Sequence, residues 1–253
     1  LKWEETSQLN IGFEARLFQD FNLSFDLYNK KTTGILQDIE LPGYLGSTGN
    51  PSANIADILN KGFDLELGYN KKIGALNISA NANVSYLQNE VTFLGNGINF
   101  LSGGAGYQAS TYPLTRTQVG QPVNSFYGFQ TNGIFQNQAE VNAYTNSTGS
   151  LIQPNAAPGD FRWKDNDGDG AITEKDRAFI GSPLPDYTFG LTLNIEYKGF
   201  DVLAFGQGVS GNKIFQGLRR LDIANANYQT TALGRWTGAV SYTHLTLPTN
   251  REV

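Results

Sequence analysis

The chain has 253 residues, a formal net charge of -5 and a sequence pI near 4.9; binding to phosphate backbones needs clustered Lys and Arg, so a nucleic-acid partner is set aside. With no cysteine, neither a disulfide framework nor a thiolate metal site can form. No apolar run approaches the roughly 18 residues of a spanning helix, which excludes a helical membrane protein and leaves barrels open, because barrel strands alternate. Methionine is absent too, and Leu1 opens within patterned sequence, so the chain is expected to be an internal segment of a longer protein.

The first patterned stretch sets Leu9, Ile11, Phe13, Ala15 and Leu17 against Asn10, Gly12, Glu14 and Arg16, a period of two that predicts a strand apolar on one side only. A tight turn at Gln19-Asp20 leads to the same pattern in Phe21, Leu23, Phe25 and Leu27 against Asn22, Ser24 and Asp26. After a long connection, Phe63, Leu65, Leu67 and Tyr69 alternate with Asp64, Glu66 and Gly68; residues 70–74 turn the chain into Leu76, Ile78, Ala80, Ala82, Val84 and Tyr86. This fourth strand, at about twenty residues, exceeds the ~10 a tilted spanning strand needs, so its far end is expected to project. A fifth strand sets Phe189, Leu191, Leu193, Ile195 and Tyr197 against Gly190, Thr192, Asn194 and Glu196, and a turn at Lys198-Gly199 leads to a weaker sixth over 200–208.

Alternation alone would also suit a soluble sandwich, but connection lengths discriminate. Tight turns and long insertions alternate strictly, as in outer-membrane barrels with short periplasmic turns and large extracellular loops. Long insertions confined to one side are unusual in sandwiches. Strands four and five both meet the outer rim, so an even number of crossings lies between them. The apparent strand over 124–135 therefore belongs to an extracellular excursion, together with a short helix over 138–144. The expected fold is all-β: an antiparallel transmembrane β-barrel sector of about six spanning strands with large extracellular loops. Residues 1–90 would hold strands and one long outer loop, 91–185 the extracellular excursion, and 186–239 further strands and the start of the next outer loop.

Within the excursion stands WKDNDGDGAITEKD, with four aspartates in residues 163–176. Counting Asp165 as position 1 puts Asp167 at 3, Asp169 at 5, Gly170 at 6, Ala171 at 7, Thr173 at 9 and Asp176 at 12, the spacing of an EF-hand loop. Carboxylates so close repel unless a cation lies among them, and hard oxygen ligands suit Ca²⁺. Asp176 stands where sensor loops carry Glu, and the flanks do not read as amphipathic helices, so a structural staple is expected and not a switch. The metal-free reading is a tight turn rich in Asx bonds.

Asp64 and Glu66 lie about 6.8 Å apart along one strand face, near the spacing of an inverting glycosidase, but no convergent base or nucleophile supports catalysis and they read as a bore-facing acidic pair. No enzyme is expected. Tyr44, Tyr107, Tyr112, Tyr127 and Tyr144 lie in the expected outer loops, where rings can contact cargo or a partner or can pack their own loop. Tyr69, Tyr86 and Tyr197 near strand ends fit an interfacial aromatic girdle.

The segments LKWEETSQLNIGFE, LYNKKTTGIL, NKGFDLELGY, VGQPVNSFYGFQTNGIF, PGDFRWKDNDGDGAITEKDRAFIGSPLPDYTFGL, YKGFDVLAFGQGVSGNKIF and GRWTG, in that order, resemble the C-terminal barrel region of SusC/RagA-type TonB-dependent outer-membrane transporters. The resemblance covers most of residues 1–238. It implies a Gram-negative outer membrane, a plugged barrel of roughly 22 strands, a SusD-like surface lipoprotein as lid, and TonB drawing on the plug. Typical cargoes of that family are oligosaccharides, with peptides in some members. The plug and TonB box are not among these residues, and the cargo itself is not legible, since specificity lies in loops and partner. The stretch 240–253 departs from the family pattern and reads as a non-native tail; His244, the one histidine, lies in it and is given no chemistry. The competing reading is a soluble exported β-sandwich module, binding carbohydrate or mediating adhesion, with calcium stiffening a loop.

Overall fold

A computed structural model describes residues 1–38, 51–95, 97–104, 112–218, 229–234 and 236. The dominant element is one six-stranded antiparallel sheet ordered β1-β2-β3-β4-β11-β12, in which β1 and β12 are the edges. Its strands are β1 (Glu5–Leu17), β2 (Phe21–Asp38), β3 (Ser52–Ile73), β4 (Leu76–Leu94), β11 (Tyr187–Tyr197) and β12 (Phe200–Ser210). All six alternating stretches are therefore strands, paired in the order a meander with one large insertion requires. Positive φ at Phe18 and Gln19, at Gly74, and at Lys198 and Gly199 turns the chain at the three tight connections.

The apolar residues of these strands share one face. Registers place Phe13 opposite Phe25, Leu27 opposite Phe63, Phe63 opposite Tyr86, and Tyr86 opposite Tyr187. Their rings form a continuous row, with centroids 5.8 Å apart for Phe13 and Phe25, 6.0 Å for Phe25 and Phe63, 5.8 Å for Phe63 and Tyr86, and 5.0 Å for Tyr86 and Tyr187. Toward the tight turns Phe21 meets Tyr69 at 4.6 Å. The 11 residues of β11, at about 3.3 Å each and tilted about 40°, rise about 25 Å, the height of the apolar band on outer-membrane barrels. Leu9, Ile11, Phe13, Phe189 and Leu191 remain exposed. The sandwich alternative needs this face buried on a second sheet, and among the described residues none covers it.

Three strands run further than their apolar patterns. β2 has 18 residues, β3 has 22 and β4 has 19, and all three continue past the aromatic row. Alternation reports contact with an apolar medium; ladder hydrogen bonds need no such medium, so pairing continues where the pattern stops. Above Leu87, β11 no longer covers the edge of β4, and the segment Thr117–Val123 takes its place. Val91 donates its N–H to the Gln121 carbonyl at 3.0 Å, and its own carbonyl accepts from Gly120 at 2.9 Å. Around Val91, Ala56 and Leu94 form a small buried core with Ile35, Ile58, Ile98, Leu101 and Val123. Thr117–Val123 thus joins the first of two compact units, with Leu1–Leu101 and Leu184–Asn212.

On the polar face, glycines make room for long neighbours. Tyr28 stands opposite Gly62, and its hydroxyl donates to the Tyr86 carbonyl at 3.2 Å. A Cβ on Gly62 would overlap both the Tyr28 hydroxyl and the Tyr86 carbonyl. Gly62→Ala is expected to destabilise the sheet by about 1–3 kcal/mol, because the clash involves backbone that cannot yield. The measurement is the temperature at which the full-length protein loses its folded mobility on electrophoresis.

The second unit comprises Ser102–Arg116, Asn124–Pro183 and Lys213–Val253. It holds a four-stranded sheet ordered β10-β7-β6-β5, built from β5 (Leu101–Gly103), β6 (Thr115–Thr117), β7 (Ser125–Gly128) and β10 (Ala178–Gly181). A separate two-stranded sheet pairs β8 (Thr131–Ile134) with β9 (Phe161–Trp163). The stretch 124–135 is therefore two short strands in different sheets. α1 (Gln138–Ala143) begins where expected, because the Asn137 side chain accepts the Glu140 N–H at 2.9 Å and caps the helix. Phe135 and Val141 are buried in this unit's own core.

Candidate functional site

The acidic loop follows β9 directly, and the end of that strand is clamped from both sides. Trp163 donates its N–H to Gln153 Oε1 at 2.8 Å, and its carbonyl accepts from the Tyr144 hydroxyl at 2.6 Å. Beyond it the chain coils around its own carboxylates. Asp165 Oδ1 accepts from the Gly168 N–H at 2.7 Å and Oδ2 from Gly170 at 2.9 Å. Asp167 Oδ1 accepts from Asp169 at 3.1 Å, and Asp169 Oδ1 from Ala171 at 2.9 Å. These are successive Asx turns, possible because Gly168 and Gly170 take φ of 75° and 86°. The result brings one carboxylate oxygen from each of Asp165, Asp167 and Asp169 within 4.8 Å of one another.

Asp176, at position 12, has both carboxylate oxygens engaged by backbone donors. It is fully buried, with Oδ1 accepting from Asn166 at 2.7 Å and Asp167 at 3.5 Å and Oδ2 from Thr173 at 2.7 Å. Thr173 and Asp176 form a reciprocal capping box on the 3-10 turn Glu174–Asp176. Burial opposes its charge, but the backbone donors of Thr173, Asn166 and Asp167, together with Asp165, outweigh that and hold its pKa below the ordinary carboxylate value. The loop is thus closed by its own backbone through Asp176, with Asn166 Nδ2 adding a bond to the Asp176 carbonyl at 2.6 Å. Ala171 lies in the turn after Asp169, and Thr173 is committed to the cap.

Arg177, the next residue, ties the loop to the small sheet. Its guanidinium donates to the Pro113 and Tyr127 carbonyls at 2.6 and 2.9 Å and lies 4.8 Å from the Tyr112 ring centre and 4.9 Å from that of Tyr127. Arg116 covers Tyr127 at 3.6 Å. Tyr112, Tyr127 and Tyr144 are each half-buried and engaged inside their own unit; Tyr44 and Tyr107 lie outside the described residues. Sequence reasoning passed over Asn166 and Arg177, although a side-chain amide inside an aspartate run and a cation beside the closing aspartate are legible signals.

The other chemically distinct surface is the polar face of the main sheet. Glu66 accepts from Asn81 at 2.8 Å and Glu196 from Asn77 at 3.1 Å, so these acids are held by amides from the neighbouring strand. Asp64 pairs with Asp26 across the ladder, which suits an acidic wall and supplies no acid–base pair converging on a substrate.

Residues 1–250 match the family model described as TonB dependent receptor-like, beta-barrel. TonB-dependent receptor P3 of Formosa agariphila is 30% identical over 263 residues, an alignment covering 100% of this chain and 25% of that protein. TonB-dependent receptor SusC of Bacteroides thetaiotaomicron is 25% identical, covering 79% of this chain and 19% of that one. Among solved structures, that of the RagAB peptide transporter superposes with a TM-score of 0.69 at 25% identity, covering 97% of this chain and 26% of its own. The chain spans about a fifth to a quarter of the length of the curated relatives it matches.

Proposed function

The chain belongs to the TonB-dependent receptor-like β-barrel family of the outer membrane, and from that premise we propose that it supplies wall and outer loops to an active importer of oligosaccharides, with peptides the other cargo class. A SusD-like lipoprotein would cover its outer side, and TonB would act through parts of the protein beyond these residues. The observation that carries this reading is the six-stranded sheet, apolar and aromatic on one face and amide- and acid-rich on the other. Cells expressing the full-length protein test it. Recovery with outer membranes only in detergent, and uptake that stops when TonB is deleted, are expected; TonB-independent uptake would overturn it.

The acidic loop serves in this proposal as a calcium staple. Asp165, Asp167 and Asp169 would hold the ion, and Asp167 Oδ2 and Asp169 Oδ2 receive no hydrogen bond among the described residues. Hard carboxylate oxygens on a turn already shaped by backbone bonds fit Ca²⁺. At calcium one hundredfold above its Kd, chelation is expected to raise protease nicking within 164–176 of the full-length protein by up to about 100-fold. The double variant Asp167→Ala, Asp169→Ala should abolish that response. Chelation without effect on the wild-type loop would refute the staple.

A further inference from the structure

The polar face of the main sheet changes character across its width. On β1 to β3 it is charged, with Glu14, Arg16, Asp26, Asp64 and Glu66. Between β4, β11 and β12 the charges are confined to Glu196 and Asp201 beside the tight turn; above them a concavity of about 600 Å³ opens, lined by the amides and hydroxyls of Asn81, Asn83, Thr188, Thr192 and Gln207 and in part by apolar residues, Phe205 and Val209 among them. No ionisable side chain lines it. Register explains why these residues meet: Asn83 pairs with Gly190, which pairs with Gln207, and Asn81 pairs with Thr192, which pairs with Phe205. Gly190 forms the floor, and the Asn83 amide leans over it, so that a Cβ there would come within 2.7 Å of Asn83 Oδ1.

These groups are unspent. Asn83, Thr188, Thr192 and Gln207 make no side-chain hydrogen bond among the described residues, and Phe205 is 66% exposed, between Leu203 and Val209 on the same face of β12. Counted from the tight turn at Lys198-Gly199, Gly190 and Gln207 stand about seven residues up, or about 18 Å, in the upper half of the apolar band. β4 and β11 are already paired on both sides, and a further strand added to β12 would bond its edge and leave its polar face open.

We propose that this concavity is a subsite for a neutral oligosaccharide segment on the inner wall of the transporter, an inference that rests on the transport reading above. Each amide and hydroxyl here both donates and accepts, as each sugar hydroxyl does, and the exposed Phe205 offers an aromatic plane against which a pyranose C–H face can lie. A peptide would bring charged termini and side chains to a lining with nothing to neutralise them.

The test uses the full-length protein purified in detergent. It is incubated with a mixture of neutral oligosaccharides from partially hydrolysed starch, xylan and laminarin together with tryptic peptides of casein, and the retained molecules are identified by mass spectrometry. Gln207→Leu and Phe205→Leu keep strand-compatible side chains of similar size; each should lower oligosaccharide retention about three- to ten-fold while the protein keeps its heat-modifiable mobility. Wild-type retention in both variants overturns the subsite, as does retention of neither class by the wild-type protein. Retention of peptides alone overturns the sugar assignment while leaving transport intact. Lost heat-modifiability with unchanged retention per folded molecule shows instead that the wall packs against another part of the protein. Failure of TonB-dependent uptake would be read separately, in cells.

Discussion

Leu67→Arg is expected to block stable insertion of the barrel, whereas Glu66→Arg, one residue away, leaves insertion intact. Leu67 lies on the apolar face of β3, paired with Leu23 and Ala82, and is 42% exposed. It stands six residues above Ile73, which at about 3.3 Å per residue and a tilt near 40° places it about 15 Å up, close to the middle of a 25 Å band. A guanidinium there costs about 2–4 kcal/mol. Glu66 projects from the opposite face, where its partner is the Asn81 amide and the medium is water, so an arginine loses one hydrogen bond of about 1 kcal/mol. Heat-modifiable protein in outer-membrane fractions is the readout. Equal recovery of the two variants would mean that the aromatic face does not meet lipid.

Asp176→Ala is the second change with a large expected effect, about 3–5 kcal/mol confined to the loop unit. It removes a buried carboxylate that accepts from Asn166, Asp167 and Thr173. The cap itself is worth about 1 kcal/mol, and stranded buried donors about 1–3 kcal/mol each, softened where water enters. Hydrogen exchange across 164–176 in the full-length protein should accelerate by at least about 100-fold, calcium present or chelated. Asp167→Ala, by contrast, should cost only about 1 kcal/mol without calcium, the loss of one exposed Asx bond, and more when calcium is present. If Asp176→Ala is silent once calcium is chelated, Asp176 is a ligand and not the backbone anchor assigned here. The pH dependence has a definite sign: because the folded pKa is lowered, the stabilisation is present above the unfolded carboxylate value and is lost as pH falls through the folded one.

These two residues mark the two kinds of information in the chain. Leu67 was legible: a strand that meets lipid on one side and water on the other writes a period of two, and six such stretches separated by alternately short and long connections already imply the sheet that is found. The DxDxDG spacing likewise announced that Asp165, Asp167 and Asp169 would converge, since Asx turns and glycines at positive φ act within a few residues. The short helix after Asn137 was visible for the same reason, its cap being local.

What the linear pattern left open depends on partners far along the chain. The outer halves of β2, β3 and β4 carry no clean alternation, because outside the apolar band no continuous apolar medium meets one face, and burial is confined to the small core around Val91; pairing with the next strand makes them strands. The same holds for Thr117–Val123, which binds β4 solely because β11 has ended below it. Spacing placed Asp176 at position 12 but could not say which way its carboxylate turns; three backbone N–H groups converging on a buried point decided that. Nor does any local signal unite Asn83, Gly190 and Gln207, which lie on three strands and meet only through register. Periodicity and turn chemistry are short-range and survive in one dimension, whereas burial and cross-strand neighbours exist only once the ladder has formed.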